Sequence, residues 1–287
     1  MRIDELIRQA ARRLAEAGIA GADLDARLLF QHLTSLSASE VVLRGTDPAD
    51  EQVMAAYRRL VDERAGRVPL HYLTGTREFW SMDFLVSPAV LIPRPETEFL
   101  LELALAACRT DGPVRRGLDL CTGSGVIAVV RAREQENAVT AVDISPAALA
   151  VARENVSRHG VTDRVDLVCG DLFAPFGTHR PFDLIVSNPP YVADDQLDGL
   201  EPEVSRAEPR LALAGGPDGL EVIGRLAAAA AYHLRPGGWL FSEIGADQGT
   251  AVLQLFQAHA AQYDRIRVID DWAGRPRVLQ ARRRPAP

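Results

Sequence analysis

The sequence has little of what marks several large classes of protein. Its 287 residues include 3 cysteines and no apolar run of about 18 residues or more, the length that a membrane span needs. The cysteines are odd in number and widely spaced, so we expect no disulfide framework. No cysteine or histidine cluster has metal-site spacing, so we predict no metal. The chain begins with acids and arginines, so we expect no secretory signal and a cytoplasmic protein with no membrane partner.

The sequence also lacks an excess of positive charge. The chain has 32 basic and 39 acidic residues, a net charge of −7. Proteins that hold duplex DNA usually carry a basic footprint, because neutralisation of phosphates dominates that affinity. We therefore expect no direct nucleic-acid partner.

The pattern of apolar residues predicts two domains and a linker. Helical spacing throughout residues 1–75 predicts a small helical bundle. Aromatic and β-branched residues then replace alanine, so we expect 76–92 to be a β-hairpin linker. After a polar loop over 93–98 and a helix from Phe99, strands and helices alternate through the rest of 93–287. This alternation predicts an α/β domain with a mostly parallel sheet and helices on both faces.

The strands of this sheet are expected where short apolar runs end in turn residues. The parallel ones are predicted at Gly117–Leu120, Val139–Ile144, Val165–Val168, Phe182–Val186 and Trp239–Ile244. Two later runs, Arg265–Ile269 and Pro276–Ala281, are separated by a short turn. They predict an antiparallel pair at one edge of the sheet.

The run DLCTGSGVIA, residues 119–128, is typical of a ligand-binding loop. Glycine permits a sharp turn from strand to helix and lets a ligand approach the main chain, and the following helix presents free N–H groups. Asp143 closes the next strand, where an acid can accept hydrogen bonds from ribose hydroxyls. Gly123, Gly125 and Ala128 also fit the dinucleotide fingerprint. This loop alone therefore leaves a nicotinamide cofactor, S-adenosylmethionine or an unliganded turn open.

The third strand ends in Asp171 and Leu172. An acid followed by apolar residues at the carboxyl edge of a sheet can accept from an exocyclic amine and flank a flat ring. Asp171 can equally cap a helix. The residues themselves leave both open.

The fourth strand ends in Asn188-Pro189-Pro190-Tyr191. Each proline fixes φ and lacks an N–H, so the loop is stiff and the Pro189 carbonyl stays free to accept. Asn188 adds a side-chain oxygen acceptor. Two acceptors match the two donors of a planar –NH₂ group, and Tyr191 offers a flat face for stacking. Such a grip favours methyl transfer to nitrogen, because it supports a pyramidal nitrogen with its lone pair aimed outward.

The motifs DLCTGSG, AVDIS, GDLF and SNPPY, in this order, resemble those of class I S-adenosylmethionine-dependent methyltransferases that modify planar amino groups. Longer segments, PLHYLTGTREFW, LIPRPETE and EPEVSRAEPRLALAGGPDGL, resemble the peptide chain release factor glutamine N5-methyltransferases (HemK/PrmC-like) over essentially the full length. The resemblance implies S-adenosylmethionine as cofactor and methylation of the glutamine in the Gly-Gly-Gln motif of class 1 release factors, its protein partners. It also implies a seven-stranded Rossmann-like sheet behind a helical domain that docks the substrate.

Carried over residue by residue, the resemblance assigns the site as well. It places the methionine part of the cofactor at Cys121, Thr122, Gly123, Ser124 and Gly125, the ribose at Asp143, and the adenine at Asp171 and Leu172. It implies that Asn188, Pro189, Pro190 and Tyr191 bind the substrate amide, with Asn188, Pro189 and Tyr191 catalytic and Asn188 also beside the cofactor. Family members commonly have glycine where this chain has Cys121.

Other functions explain less of the sequence. A nicotinamide dehydrogenase accounts for the glycine loop but not for Asn-Pro-Pro-Tyr, and a binding module without catalysis gives no reason for a rigid pair of acceptors. DNA methylation at adenine N6 explains both motifs but predicts a basic cleft that the composition does not supply, so it is the second interpretation. Arg94 and Thr97 are expected either at the cofactor entrance or as helix caps. Glu243 is expected at a surface strand end rather than in contact with substrate.

Overall fold

The chain divides into two compact units. The computed structural model describes residues 1–110, 114–135, 137–177 and 181–285, with only the backbone of 108–110. The first unit comprises Met1–Thr76 with Glu201–Ala207, and the second comprises Arg77–Leu200 with Glu208–Pro287.

The longer segment of the first unit is helical, with its helices within residues 3–74. Its elements are α1 (Ile3–Glu16), α2 (Ala22–Thr34), α3 (Ala38–Leu43), α4 (Glu51–Ala65) and α5 (Leu70–Thr74). Leu14, Leu29 and Tyr57 are fully buried in its core, because each amphipathic helix turns its apolar stripe inward. Arg64 donates to Asp25 at 2.7 Å and to Glu203 at 3.0 Å, which ties the segment 201–207 to this unit.

The second unit contains a hairpin and a seven-stranded sheet. The hairpin is β1 (Thr76–Phe79) and β2 (Met82–Leu85), and the sheet consists of β3 (Arg116–Leu120), β4 (Ala138–Asp143), β5 (Val165–Cys169), β6 (Phe182–Ser187), β7 (Leu234–Glu243), β8 (Tyr263–Asp270) and β9 (Pro276–Arg283). The helices after the hairpin are α6 (Pro95–Thr110), α7 (Val126–Gln135), α8 (Pro146–Arg158), the short α9 (Pro202–Ser205) of the first unit, α10 (Glu221–His233) and α11 (Gly249–Gln257).

The strand order is β5-β4-β3-β6-β7-β9-β8, and β9 runs opposite in direction to the other six strands, so it pairs antiparallel with both β7 and β8. Both faces of the sheet are covered. Leu184 and Val186 of β6 pack into one apolar cluster, whereas Ile185 packs into the other. Burial on both faces is why this strand is a continuous apolar run.

The predicted fold class is confirmed, with differences at element boundaries. The helix expected from Phe99 begins at Pro95, so the polar loop predicted over 93–98 is wrong for residues 95–98. β7 begins at Leu234 rather than Trp239. Of the predicted antiparallel pair, the later strand β9 lies inside the sheet and the earlier strand β8 forms the edge.

The strand order creates a switch point beside β3. From β3 the chain proceeds to β4 and β5 on one side, and then returns to β6 on the other. Ligands of open α/β sheets bind outside the carboxyl ends of strands at such a point. The ends of β3 to β6 are therefore where a site is expected.

Candidate active site

A cavity of about 240 Å³ lies in the second unit at the carboxyl ends of β3, β4, β5 and β6. The predicted site residues that line it are Cys121, Thr122, Gly123, Ser124, Asp143, Asp171, Leu172, Asn188 and Pro190. Gly125, Pro189 and Tyr191 belong to the same loops but are not among its lining residues. The structure thus brings the ends of all four strands around one cavity.

The loop between β3 and α7 uses backbone conformations that suit glycine. Gly123 and Gly125 have φ of 55° and 83°. A Cβ on Gly125 would lie 3.2 Å from the Cβ of Ala152, so glycine lets this loop pack closely against α8. A Cβ on Gly123 would meet nothing within 4 Å. Cys121 also has a positive φ, 59°, a conformation that is unfavourable for a residue with a Cβ.

Asp119, in β3, holds this loop in place. Its Oδ2 accepts a hydrogen bond from the Thr122 hydroxyl at 2.5 Å and another from the Ala128 backbone N–H at 3.1 Å. The side chain is completely buried, and burial raises the pKa of this carboxyl to about 7, although both donors and the charge of Arg131 act to lower it. Asp119 therefore fixes the start of α7 relative to β3.

Asp143, at the end of β4, connects two of the strand-end loops. Its Oδ2 accepts from the Gly123 N–H and its Oδ1 from the Ser145 N–H, both at 2.9 Å. Burial raises the pKa of this carboxyl, while the backbone donors act to lower it. A carboxylate offers about four lone-pair positions, so acceptor capacity remains for hydroxyl groups in the cavity.

Asp171, after β5, forms an ion pair on the cavity wall. Arg225 of α10 donates to its Oδ2 at 2.7 Å, and both side chains are nearly half exposed. Residues 171–175 form a bend and turns, and no helix follows Asp171 in the described residues up to 177, so the helix-cap alternative for Asp171 is wrong. Leu172 is buried and contributes an apolar surface to the cavity.

Asn188, at the tip of β6, belongs to a chain of hydrogen bonds. Its Nδ2 donates to Thr97 Oγ1 at 3.1 Å, and the Thr97 hydroxyl donates to Glu243 Oε2 at 2.8 Å. The Tyr191 hydroxyl donates to Glu243 Oε1 at 3.1 Å. Glu243 is 1% exposed, so the expected surface position of this residue is wrong. Burial raises the pKa of the Glu243 carboxyl, against the donors Thr97 and Tyr191 and the charge of Arg277.

A second ion pair anchors the segment that follows residue 207. Arg94 donates to both carboxylate oxygens of Glu208, at 2.7 and 2.8 Å. Glu208 is buried, whereas the Arg94 side chain is 32% exposed. Pro209, Leu211 and nearby residues then line the cavity, so this pair positions part of its wall.

The described residues show neither a metal centre nor a membrane-spanning helix. Within them, no group of three or more His, Cys, Asp or Glu side chains is arranged to hold a metal ion. No helix in the described part of the chain combines the length and apolarity needed to cross a membrane. Cys121 and Cys169 are free thiols.

Comparison with known proteins identifies the family. Residues 5–75 match the PrmC N-terminal domain, and residues 97–217 match the methyltransferase small domain. The release factor glutamine methyltransferase of Cereibacter sphaeroides is 44% identical over 283 residues, covering 98% of this chain and 99% of that protein. The chain belongs to the release factor glutamine methyltransferase family. The Moorella thermoacetica member is 43% identical over 286 residues, covering 99% of each chain.

A solved structure supports the fold of this family member. A methyltransferase from Pyrococcus furiosus superposes with a TM-score of 0.54 at 19% identity, covering 78% of this chain and 100% of that one. At this identity the likeness concerns the fold alone. The predicted family and class I methyltransferase fold are confirmed, and membership favours glutamine methylation over the alternative of DNA methylation.

Sequence reasoning missed several residues of this methyltransferase site. Asp119 was visible only as an acid within an apolar strand. The Arg94–Glu208 and Asp171–Arg225 pairs join positions 114 and 54 residues apart, so no local pattern reveals them. The sequence indicates Thr97 and Glu243 as separate candidates, but it does not predict the hydrogen bond that joins them.

Proposed function

We propose that this enzyme transfers the methyl group of S-adenosylmethionine to N5 of the glutamine in the Gly-Gly-Gln motif of class 1 release factors, in the cytoplasm. The observation that carries the proposal is the single cavity shared by the glycine loop, Asp143 and Asn188. The donor and acceptor sides of a methyl transfer would then lie at the carboxyl ends of neighbouring strands, β3 and β6.

The residues on the donor side fit S-adenosylmethionine. The open side of Gly123 leaves room for the methionine part, next to Cys121, Thr122 and Ser124. Asp143 retains acceptor positions for the ribose hydroxyls. Leu172 and the half-exposed Ile144 offer apolar surface to the adenine ring. When bound, the cofactor supplies an electrophilic methyl group on a sulfonium.

Asp171 has two possible partners in this proposal. Its Oδ2 accepts from Arg225, so an adenine amino group would donate its hydrogen bond to the other carboxylate oxygen, Oδ1. The ion pair fixes the direction of that oxygen. Arg225 thereby becomes part of the adenine end of the site.

On the acceptor side, we propose that Asn188 Oδ1 and the Pro189 carbonyl accept the two hydrogens of the glutamine amide. An amide nitrogen is a poor nucleophile because its lone pair is delocalised. Acceptors that hold its hydrogens stabilise the pyramidal nitrogen of the transition state more than the flat ground state. Fixing the nitrogen in line with the methyl group contributes toward the roughly 7–11 kcal/mol that orientation can supply.

No strong general base is required for this reaction. The nitrogen becomes acidic once the methyl group has arrived, so its proton leaves after the bond has formed. Tyr191 is predicted to stack on the substrate amide. In the structure its hydroxyl is held by Glu243, and Gln248 Nε2 donates to its backbone carbonyl at 2.8 Å, which supports a bracing role for this residue.

We further propose that the helical region 1–75 docks the release factor, that 76–92 links it to the rest, and that 93–287 carries the chemistry. Val42 and Leu43 in α3 are 80% and 81% exposed, and large exposed apolar side chains suit a protein contact.

Leu43→Glu should therefore raise the KM for the release factor and leave the Kd for S-adenosylmethionine unchanged. Tyr232→Glu, at an exposed position of α10, is the control. A KM unaffected by Leu43→Glu would remove this contact from the proposal.

The decisive assay uses labelled S-adenosylmethionine with an intact class 1 release factor. Methyl incorporation is expected into the intact factor and not into a variant whose loop glutamine is replaced. A DNA duplex in a parallel reaction tests the alternative substrate. Label in the glutamine-less factor, or in the duplex alone, would contradict the proposed specificity.

A further inference from the structure

Buried hydrogen bonds connect the tip of β6 to the end of β7 through the first turn of α6. Thr97 is 2% exposed and Glu243 is 1% exposed. Asn188 Nδ2 donates to Thr97 Oγ1, and Thr97 donates to Glu243 Oε2. Glu243 is not among the residues that line the cavity, whereas Asn188 and Thr97 are. Any influence of Glu243 on a ligand must therefore pass through its neighbours.

The direction of each hydrogen bond in this set is dictated by chemistry. Burial opposes the charge on Glu243, but the hydroxyl donors Thr97 and Tyr191 and the charge of Arg277 favour its ionised form, and an ionised carboxylate can only accept. Thr97 has one hydroxyl hydrogen, and at 2.8 Å from Glu243 Oε2 that hydrogen is committed to the carboxylate. Thr97 Oγ1 can then only accept from Asn188. The Asn188 amide must consequently present its –NH₂ end to Thr97.

The two ends of an asparagine amide have almost the same size, so packing alone cannot distinguish them. With the –NH₂ end turned to Thr97, Oδ1 is the end that remains available to a substrate. A substrate –NH₂ group needs an acceptor there. The reversed amide would set a donor against a donor and lose the contact.

We propose that Glu243 and Thr97 are positioning residues that fix the Asn188 amide in its acceptor orientation. This inference rests on the proposed function, since it explains how Asn188 recognises an amide –NH₂. Glu243 also holds the other end of the motif, because its Oε1 accepts from Tyr191 at 3.1 Å. One buried carboxylate thereby orients the residues on both sides of the two prolines.

The test compares isosteric variants under saturating release factor and S-adenosylmethionine. Glu243→Gln removes the obligatory acceptor, since its amide can donate to Thr97 and permit Asn188 to reverse. We expect kcat to fall at least tenfold, with the Kd for S-adenosylmethionine within twofold of the wild-type value. Thr97→Val should lower kcat to a similar degree, whereas Thr97→Ser keeps the hydroxyl and should retain most of the activity.

The double variant Thr97→Val/Glu243→Gln separates orientation from general damage. Because both residues act through Asn188, the double variant should be about as slow as either single variant. The inference would be overturned if the fall in kcat of the double variant equalled the product of the two single falls. Equal falls in kcat for Thr97→Ser and Thr97→Val would also overturn it. So would full activity of Glu243→Gln.

The wild-type reaction separates this inference from the proposed function. Failure of the wild-type enzyme to methylate the release factor would refute the function itself. Normal methylation by the wild type together with full activity of Glu243→Gln and Thr97→Val would refute only the positioning role. Circular dichroism and thermal unfolding of each variant verify that a lost activity is not a lost fold.

Discussion

Neutralising Asp119 should change the way in which stability depends on pH. This carboxyl is completely buried in β3, and burial raises its pKa from 3.8 to about 7. The folded state therefore binds its proton more tightly than the unfolded state does. The stabilisation linked to this proton is complete below about pH 3.8 and is lost as the pH rises through about 7.

The magnitude follows from the two pKa values. A raise from 3.8 to about 7 corresponds to about 4 kcal/mol of destabilisation once the group is ionised in both states. Roughly 2–3 kcal/mol of this change falls between pH 5 and pH 8. Asp119→Asn removes the ionisation, and its amide oxygen can still accept from Thr122 and Ala128.

The assay is denaturant unfolding of the wild type and of Asp119→Asn at several pH values. The stability of the wild type relative to the variant should decrease by roughly 2–3 kcal/mol from pH 5 to pH 8. Any constant loss from the substituted hydrogen bonds cancels in this comparison. A difference between the two proteins that does not change with pH would refute the reasoning, and an increase would reverse its sign.

Two further predictions concern residues around the cavity. Arg94→Ala should destabilise the fold by about 3 kcal/mol, because it leaves the buried Glu208 carboxylate without its partner. Glu208→Gln should cost about 1 kcal/mol, because the Arg94 guanidinium reaches solvent. Equal costs of the two variants in thermal unfolding would contradict this asymmetry. At Cys121, with φ of 59°, Cys121→Gly should change the free energy of unfolding by less than about 1 kcal/mol, whereas Cys121→Val should lower it by about 2 kcal/mol. A well-tolerated valine would show that this backbone conformation is not maintained.

The strand ends were predictable from sequence because each lies where an apolar run meets a turn residue. Asp143 and Asn188 were placed in this way, and both line the cavity. The parallel sheet then required only that their carboxyl ends meet at one edge. Local pattern and the general rule for α/β folds were sufficient for this part of the site.

The place of the last two strands was not predictable from their connection alone. A short turn predicts that β8 and β9 pair, but it does not say which of them pairs with β7. Burial gives the physical answer. Residues 278–281 of β9 are all buried, as in a strand with neighbours on both sides, whereas β8 is mostly exposed or half-buried after Tyr263, as at an edge.

The buried polar contacts of the site were beyond reach of local patterns for a different reason. Thr97 and Glu243 are 146 residues apart, and Tyr191 and Glu243 are 52 apart. An acid at the end of a strand is ordinarily exposed. Glu243 departs from that expectation because two hydroxyl donors from distant segments and the charge of Arg277 meet it in the fold.

The central claim is that Asn188, at the tip of β6, accepts a hydrogen bond from the substrate amide in the transition state. It is tested most directly by steady-state methylation of a class 1 release factor by Asn188→Ala, with the Kd for S-adenosylmethionine measured by calorimetry. The account predicts a fall in kcat of about 100-fold or more, as for the loss of one preorganised hydrogen-bonding group in other enzymes, with little change in cofactor affinity. A kcat close to that of the wild type, or a loss of activity fully explained by weaker cofactor binding, would contradict it.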